Sequence, residues 1–198
     1  TQTDPNIEPV VPDEQDVAEA VPTPRPDPFD EIISPEEQEA SEREQQKADE
    51  LKREIEQAIA QVPGKLAEGL LVTPAEGGIL VTVTDQSETP MFNVGSAVPR
   101  REMVLAMEKI GAILQSREGS ILIRGHTDGR QFRNGTNDNW RLSMERAHSA
   151  YFMLVRGGVS EERIKQVSGF ADRRLQIPED PLANQNRRIE ILIEADEG

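Results

Sequence analysis

The sequence predicts an α/β sandwich in which one mixed sheet carries helices on one face. Two observations support this fold class: short apolar segments with partial alternation, and two amphipathic helical segments between them. A long helix and an acidic, proline-rich linker are predicted to precede the sandwich. From residue 79 onward, the predicted elements follow the order β-α-β-α-β-β. Because a crossover helix between two strands favours a parallel pair, we expect a mixed sheet.

The first predicted region, residues 1–33, is a disordered linker. It contains seven prolines, many acidic residues and few large apolar side chains, so it cannot bury enough surface to offset the entropy of ordering. The chain has a formal net charge of -15, and residues 1–50 alone contain 16 acidic and three basic side chains. With no clustered basic stripe elsewhere, nucleic acid is not expected as a partner.

A helix is predicted for residues 34–63. Ser34 is a good N-cap, Pro35 suits the first helical position, and Glu37 lies three residues beyond the cap. An apolar stripe follows and ends near Pro63 and Gly64. The stripe either pairs with a sister helix in a homodimer or docks on its own domain, and its spacing leaves both alternatives open. Its members are Leu51, Ile55, Ala58 and Val62.

The remaining elements make up the sandwich. Two strands separated by turn-forming residues predict a hairpin that adds an edge strand, and two amphipathic helices alternate with the later strands. The second of these helices has a predicted core stripe of Trp140, Met144, Ala147, Tyr151 and Leu154. The predicted segments are strands 69–73 and 79–84, helix 99–117, strand 120–124, helix 138–156, and strands 164–169 and 187–194.

The densest group of polar residues begins where strand 120–124 ends and continues into helix 138–156. On that helix Asn139, Ser143 and Arg146 are four and three residues apart, so they share one side. Asp128 follows the strand and is expected near Arg146. The two side chains either form a structural ion pair or bind a zwitterionic amino-acid head, because guanidinium takes a carboxylate and carboxylate takes an ammonium group.

These residues match a known family. Ile123–Asp128, Asn139–Ala147 and Asn186–Arg188 resemble the OmpA-like peptidoglycan-binding domain over about residues 66–196. Within that family, residues 90–97, Trp140 and the Gly-Gly-Val at 157–159 are similar to flagellar stator proteins of the MotB type. The resemblance implies the same β-α-β-α-β-β fold.

The resemblance also implies roles for individual residues. Asp128 would accept the ammonium group of diaminopimelate in the peptidoglycan stem peptide, Arg146 would clamp its carboxylate, and Thr127 and Asn139 would add hydrogen bonds. Supporting roles would fall to Ser143, Leu142, Arg187 and Arg188, of which Leu142 would pack and the two arginines would brace the sheet and the loop.

The stretch Gly129–Asp138 departs from the family, because it is longer than in many members. The resemblance therefore does not predict the shape of the pocket rim. Within this stretch, Arg130 and Arg133 either touch anions of the wall or are solvated.

By resemblance, the function is noncovalent anchoring of a stator to peptidoglycan, without catalysis or a cofactor. The implied partners are a second copy of the chain, a MotA-like channel subunit and the flagellar P-ring protein, and the implied location is the periplasm. No apolar run here approaches the roughly 20 residues that span a bilayer. Because the chain begins at Thr1 and not at methionine, we expect it to be a processed or truncated piece. By resemblance, the complete protein would have a single inner-membrane helix before Thr1.

The same residues leave three alternatives. An OmpA-like module could serve mainly in protein docking, and an unpaired stripe at residues 51–62 would support that role. A wall-processing enzyme could use His126 and Asp128, although no Gly-x-Ser-x-Gly elbow is present. A metal site at His126, Asp128 and His148 is not favoured, because no fourth ligand has a suitable spacing. With no cysteine, disulfides and sulfur-ligated zinc are excluded.

Overall fold

The computed structural model describes residues 34–75, 77–132 and 138–195. The expected linker at 1–33 lies outside the described residues, as does Arg133. Within the described part, no helix is long and apolar enough to cross a membrane. The elements are α1 Pro35–Ile59, β1 Leu70–Ala75, β2 Gly78–Thr84, α2 Arg101–Gln115, β3 Ser120–His126, α3 Asn139–Arg156, β4 Ile164–Gly169 and β5 Arg188–Glu194, with short 3-10 turns at Leu66–Gly69, Glu161–Arg163 and Asn184–Asn186.

The five strands form one mixed sheet in the order β1-β2-β5-β3-β4. The β3–β4 pair is parallel, and the other pairs are antiparallel. The predicted element order from residue 79 and the predicted edge hairpin are therefore confirmed. β5, the last strand in the chain, is inserted at the centre between β2 and β3.

The core lies between the sheet and the three helices. Val81 pairs with Ile191, which pairs in turn with Ile123, so one row of apolar side chains crosses the three central strands. Because side chains alternate along a strand, the next core row lies two residues away, at Val83 and Ile189. The helices cover this face with the apolar side of α2 and the small residues of α3.

Helix α1 packs on its own domain, against β1 and α2. Its buried stripe differs slightly from the predicted one, because Ala48 and Ile59 belong to it and Ala58 is only half-buried. The helix also ends at Ile59, before the predicted end near Pro63. Since Leu51 and Ile55 are fully buried within one chain, these residues are not available to a sister helix.

The predicted core stripe of α3 is partly wrong. Trp140 and Met144 are 51% and 44% exposed, whereas the buried face includes Ser143, Ala147 and Ala150. The cause is close packing of the helix on the sheet, since a β-carbon at Gly125 would clash with the backbone of Ser143. Only small side chains fit this contact, so Trp140 and Met144 lie at the surface, whereas Met153 and Leu154, further along the helix, are buried.

Candidate ligand pocket at one end of the sheet

Strand topology brings three charged residues to one end of the sheet. Thr84 at the end of β2 and His126 at the end of β3 both pair with Arg188 at the start of β5. The residues just beyond these strand ends are Asp85, Asp128 and Arg187. Residues far apart in the chain therefore meet because β5 is antiparallel to both of its neighbours.

A cavity of about 270 Å³ opens at this end of the sheet. Its walls come from the start of α3, the segment after β2, and the segment after β3. The lining residues are Asp85, Pro90, Phe92, Asn93, Val94, Gly95, Thr127, Asp128, Arg130, Gln131, Phe132, Asn139, Leu142, Arg146 and Arg187. The cavity thus gathers Asp128, Arg146, Thr127 and Asn139, the four side chains predicted to bind ligand.

The carboxylate of Asp128 is buried and bound by two arginines. Its Oδ2 accepts hydrogen bonds from Arg187 Nη1 at 2.7 Å and from Arg130 Nη1 at 2.9 Å. Its Oδ1 accepts a hydrogen bond from the Arg130 amide at 3.1 Å. Asp128 forms no ion pair with Arg146, so the structural pair that the sequence allowed is not present.

The Arg146 guanidinium is buried without a carboxylate partner among the described residues. Its Nε donates to the carbonyl of Ser96 at 3.0 Å, and its Cζ lies 5.0 Å from the centre of the Phe92 ring. Burial lowers the pKa of Arg146, and the charge of Asp85 partly offsets this effect. The group nevertheless remains charged. Within the described chain, Nη1 and Nη2 have no hydrogen-bond partner.

Thr127 and Asn139 contribute differently to the cavity. The Thr127 amide donates to the carbonyl of Ala171 at 2.9 Å, while its buried Oγ1 has no hydrogen-bond partner in the described chain. Asn139 Nδ2 donates to the carbonyl of Arg130 at 2.9 Å. Asn139 therefore holds the segment after β3 in place, and Thr127 has an unused hydroxyl beside the cavity.

Ser143 and Leu142 support the cavity from α3. Ser143 Oγ donates to the carbonyl of Trp140 at 2.9 Å and accepts from the Ala171 amide at 3.0 Å, so it ties the helix to the segment after β4. Leu142 is 8% exposed and supplies an apolar part of the wall.

Arg187 and Arg188 are both engaged with protein groups. Arg187 donates to Asp85 Oδ2 at 2.6 Å, to Asp128 Oδ2 at 2.7 Å and to Asn184 Oδ1 at 2.6 Å. Burial acts to lower the pKa of Arg187, but the hydrogen bonds to the two aspartates raise it overall. Arg188 binds Glu190 and backbone carbonyls away from the cavity. Both arginines brace the sheet and its loops.

Three contributors to the pocket were missed in the sequence. Asp85 Oδ1 accepts the Met91 amide at 2.7 Å, and Phe92 and Ser96 hold Arg146. The position of Asp85, directly after a predicted strand, was an available signal. Phe92 and Ser96 lie in the segment that carried the family resemblance, but nothing local indicated their contact with α3.

His126 lies beside the cavity, not in its wall. Its ring is stacked on Phe170 with centroids 5.3 Å apart, and its Nε2 lies 3.2 Å from Glu190 Oε2 without hydrogen-bond geometry. Burial lowers the pKa of His126. His148 instead stacks on Tyr151 at the surface of α3. Among the described residues, no three metal-ligating side chains are grouped.

The pocket rim is described only in part. Arg130 pairs with Asp128 and is not simply solvated, although its side chain is 61% exposed.

Comparison with known proteins shows a family match and two curated relatives. Residues 91–188 match the OmpA family. The truncated LafU protein of Escherichia coli strain K12 is 34% identical over 116 residues, which are 59% of this chain and 55% of that protein. Motility protein B of the same strain is 28% identical over 154 residues, which are 76% of this chain and 50% of that protein. The chain therefore spans roughly half the length of these relatives.

Two solved structures share the fold. The periplasmic domain of Helicobacter pylori MotB has a TM-score of 0.57 at 22% identity, covering 67% of this chain and 85% of that chain. The cell wall anchor of the T6SS from Pseudomonas aeruginosa has a TM-score of 0.57 at 25% identity, covering 74% of this chain and 97% of that chain. The mixed sheet with its three helices is therefore the fold of MotB periplasmic domains.

Proposed function

We propose that this chain, whose residues 91–188 match the OmpA family, binds peptidoglycan noncovalently and anchors a flagellar stator to the cell wall. The ligand group is the zwitterionic head of diaminopimelate in the stem peptide. The process is binding alone and includes no chemical step.

The buried guanidinium of Arg146 is the observation that carries this proposal. A buried cation normally has an anionic partner, because removing its charge from water is costly. Among the described residues, the guanidinium of Arg146 has one hydrogen-bond acceptor, the Ser96 carbonyl, and one aromatic contact, the Phe92 ring, and two of its nitrogens remain unused. A ligand carboxylate would bind these nitrogens through two parallel hydrogen bonds.

Two neighbouring residues suit the rest of the zwitterion. Asp128 supplies a carboxylate in the same cavity as Arg146, and an ammonium group is its natural ligand. The unpartnered hydroxyl of Thr127 can donate to or accept from the same head. Asn139 holds the loop that carries Asp128.

The flagellar part of the proposal rests on the relatives. LafU is named a flagellar export/assembly protein and the second relative a motility protein, and this chain matches roughly half of each. By extension, we propose that this chain lies in the periplasm and is attached to the inner membrane by a helix that precedes it. It would assemble as a homodimer with a MotA-like channel subunit and contact the P-ring protein. Wall binding rests on the pocket and is independent of these assignments.

Docking to another envelope protein is the alternative function. The stripe at residues 51–62, which would have favoured it, is buried against the chain's own domain. The T6SS neighbour is itself a cell wall anchor, so it favours wall binding in another machine over protein docking. A hydrolytic role using His126 and Asp128 gains no support from the described residues, because His126 is not in the cavity wall and no three metal-ligating side chains are grouped.

Co-sedimentation with purified sacculi that contain diaminopimelate tests wall binding. The wild-type chain should sediment, whereas Asp128→Ala and Arg146→Ala should bind at least about tenfold more weakly, the expected loss for a charged partner in a buried site. Each variant is first checked for cooperative thermal unfolding. Arg141→Ala is the control, because Arg141 lies on α3 and pairs with Glu145 outside the cavity. Equal sedimentation of all four proteins would sink the proposal.

A further inference from the structure

The carboxylate assigned to the ligand's ammonium group already binds a cation of this chain. Arg130 Nη1 lies 2.9 Å from Asp128 Oδ2, and the side chain of Arg130 is 61% exposed whereas that of Asp128 is 7% exposed. The second cation on Asp128, Arg187, is only 17% exposed and is held by Asp85 as well. Of the two arginines, Arg130 alone can leave the carboxylate without disrupting buried contacts.

The charges around the cavity depend on where Arg130 lies. The lining contains the guanidiniums of Arg130, Arg146 and Arg187 and the carboxylates of Asp85 and Asp128. With Arg130 in place, positive charges exceed negative ones by one, so the cavity suits a ligand with a negative charge. With Arg130 turned out to solvent, the charges balance, and the cavity suits a zwitterion, whose own charges cancel.

We propose that Arg130 is a built-in competitor of the ligand's ammonium group and thereby sets the specificity of the pocket, an inference that rests on the proposed function. A ligand with an ammonium group takes the place of Arg130 Nη1 on Asp128. A ligand with carboxylates alone leaves Arg130 in place and uses Arg146. Arg130 therefore weakens the binding of zwitterions and supports the binding of simple anions.

The substitution Arg130→Gln separates these two effects when affinity is measured by calorimetric titration with two probes. The first probe is meso-diaminopimelate, and the second is its N,N′-diacetyl derivative, which keeps both carboxylates and has no ammonium group. Arg130→Gln should bind the first about two- to fivefold more tightly, the range that corresponds to a partly exposed ion pair. It should bind the second more weakly by a similar factor. A purely structural role would move both affinities in the same direction.

The control variant is Arg141→Gln. Arg141 has a 62% exposed side chain paired with Glu145 and lies outside the cavity, so this change removes the same charge from a site of similar exposure. It should leave both affinities unchanged.

Three outcomes would contradict the inference. If Arg130→Gln shifts both affinities in one direction, or shifts neither while Arg146→Ala loses binding, Arg130 is no competitor and the proposed function stands. If neither the wild type nor Arg130→Gln binds either probe, both the inference and the proposed diaminopimelate site are wrong.

Discussion

At the scale of single residues, Arg146 shows how a buried cation is kept without a carboxylate. The Phe92 ring lies 5.0 Å from its guanidinium, and a cation–π contact stabilises such a group by about 0.5–2 kcal/mol. The Ser96 carbonyl fixes Nε. Phe92 and Ser96 are thus positioning residues, because they hold the side chain while leaving its other two nitrogens for a ligand.

The burial of His126 leads us to expect that the stability of the protein depends on pH. Because burial lowers its pKa in the folded protein, the unfolded chain binds a proton more readily. The resulting stabilisation is complete above about pH 6.5, the pKa of a free imidazole, and is lost as the pH falls toward the lower pKa of the folded state. The free energy of unfolding, measured with urea, should therefore decrease by at most about 1.4 kcal/mol per pH unit in this window.

His126→Gln should flatten this part of the profile, and His148→Gln, at an exposed position, should leave it unchanged. An unaltered slope in His126→Gln would contradict the prediction.

Glu190 affects the stability in a separate, more acidic pH range. Burial acts to raise the pKa of Glu190, but contacts with His126 and Arg188 hold this pKa at about 2. The contribution of Glu190 to the free energy of unfolding is therefore lost only as the pH falls from about 4.5 toward 2.

At the scale of secondary-structure elements, the contact between α3 and the sheet determines where the cavity-lining side chains of α3 lie. Gly125 in β3 and Gly169 at the end of β4 both approach Ser143 so closely that a β-carbon would clash. This approach places the first turns of α3, with Asn139 and Arg146, beside the ends of β2 and β3.

Gly125→Ala should therefore separate α3 from β3. We expect a loss of about 1–3 kcal/mol in the free energy of unfolding, the usual cost of overpacking a core, together with weaker sacculus binding because Arg146 moves with the helix. Thermal and urea unfolding measure the first effect, and co-sedimentation measures the second. Arg124→Ala, on the opposite face of the same strand, is the control. A Gly125→Ala protein with wild-type stability and binding would show that the contact is unimportant.

The elements were predictable from the sequence, but the orientation of α3 was not. Alternating and helical patterns report which segments are apolar, and most observed boundaries lie within two residues of the predicted ones. The predicted stripe through Trp140 was partly wrong because the prediction considered apolarity alone. The sheet instead contacts the small side chains of Ser143, Ala147 and Ala150. The apolar stripe of α1 could not show whether the helix packs on its own domain or on a second chain.

The cavity-lining residues were only partly predictable for a related reason. Helical spacing placed Asn139 and Arg146 on one side of α3, and the strand end placed Asp128 nearby. The partners of Asp128 are Arg130, in the following loop, and Arg187, the residue just before the last strand. Such contacts depend on the strand order of the folded sheet, and no local pattern contains that information.

At the scale of the whole molecule, two truncations separate the linker from the domain. A chain that begins at residue 34 should unfold with the same free energy as the full chain and should still sediment with sacculi. A chain that begins at residue 64 lacks α1, whose buried Leu51, Ile55 and Ile59 contribute on the order of 5 kcal/mol. It should unfold at markedly lower urea concentration. Equal stability of the two truncated chains, or loss of binding by the longer one, would contradict this prediction.

The contact between Arg130 and Asp128 also bears on how long one attachment lasts. A competitor only two residues away in the chain has an effective concentration on the order of millimolar, so it can occupy Asp128 as soon as an ammonium group departs. Under the proposed function, immediate recapture of the same stem peptide would then be disfavoured, and the lifetime of a single attachment would shorten. A molecule held in this way would exchange between neighbouring stem peptides, and durable attachment would require several such pockets in one assembly.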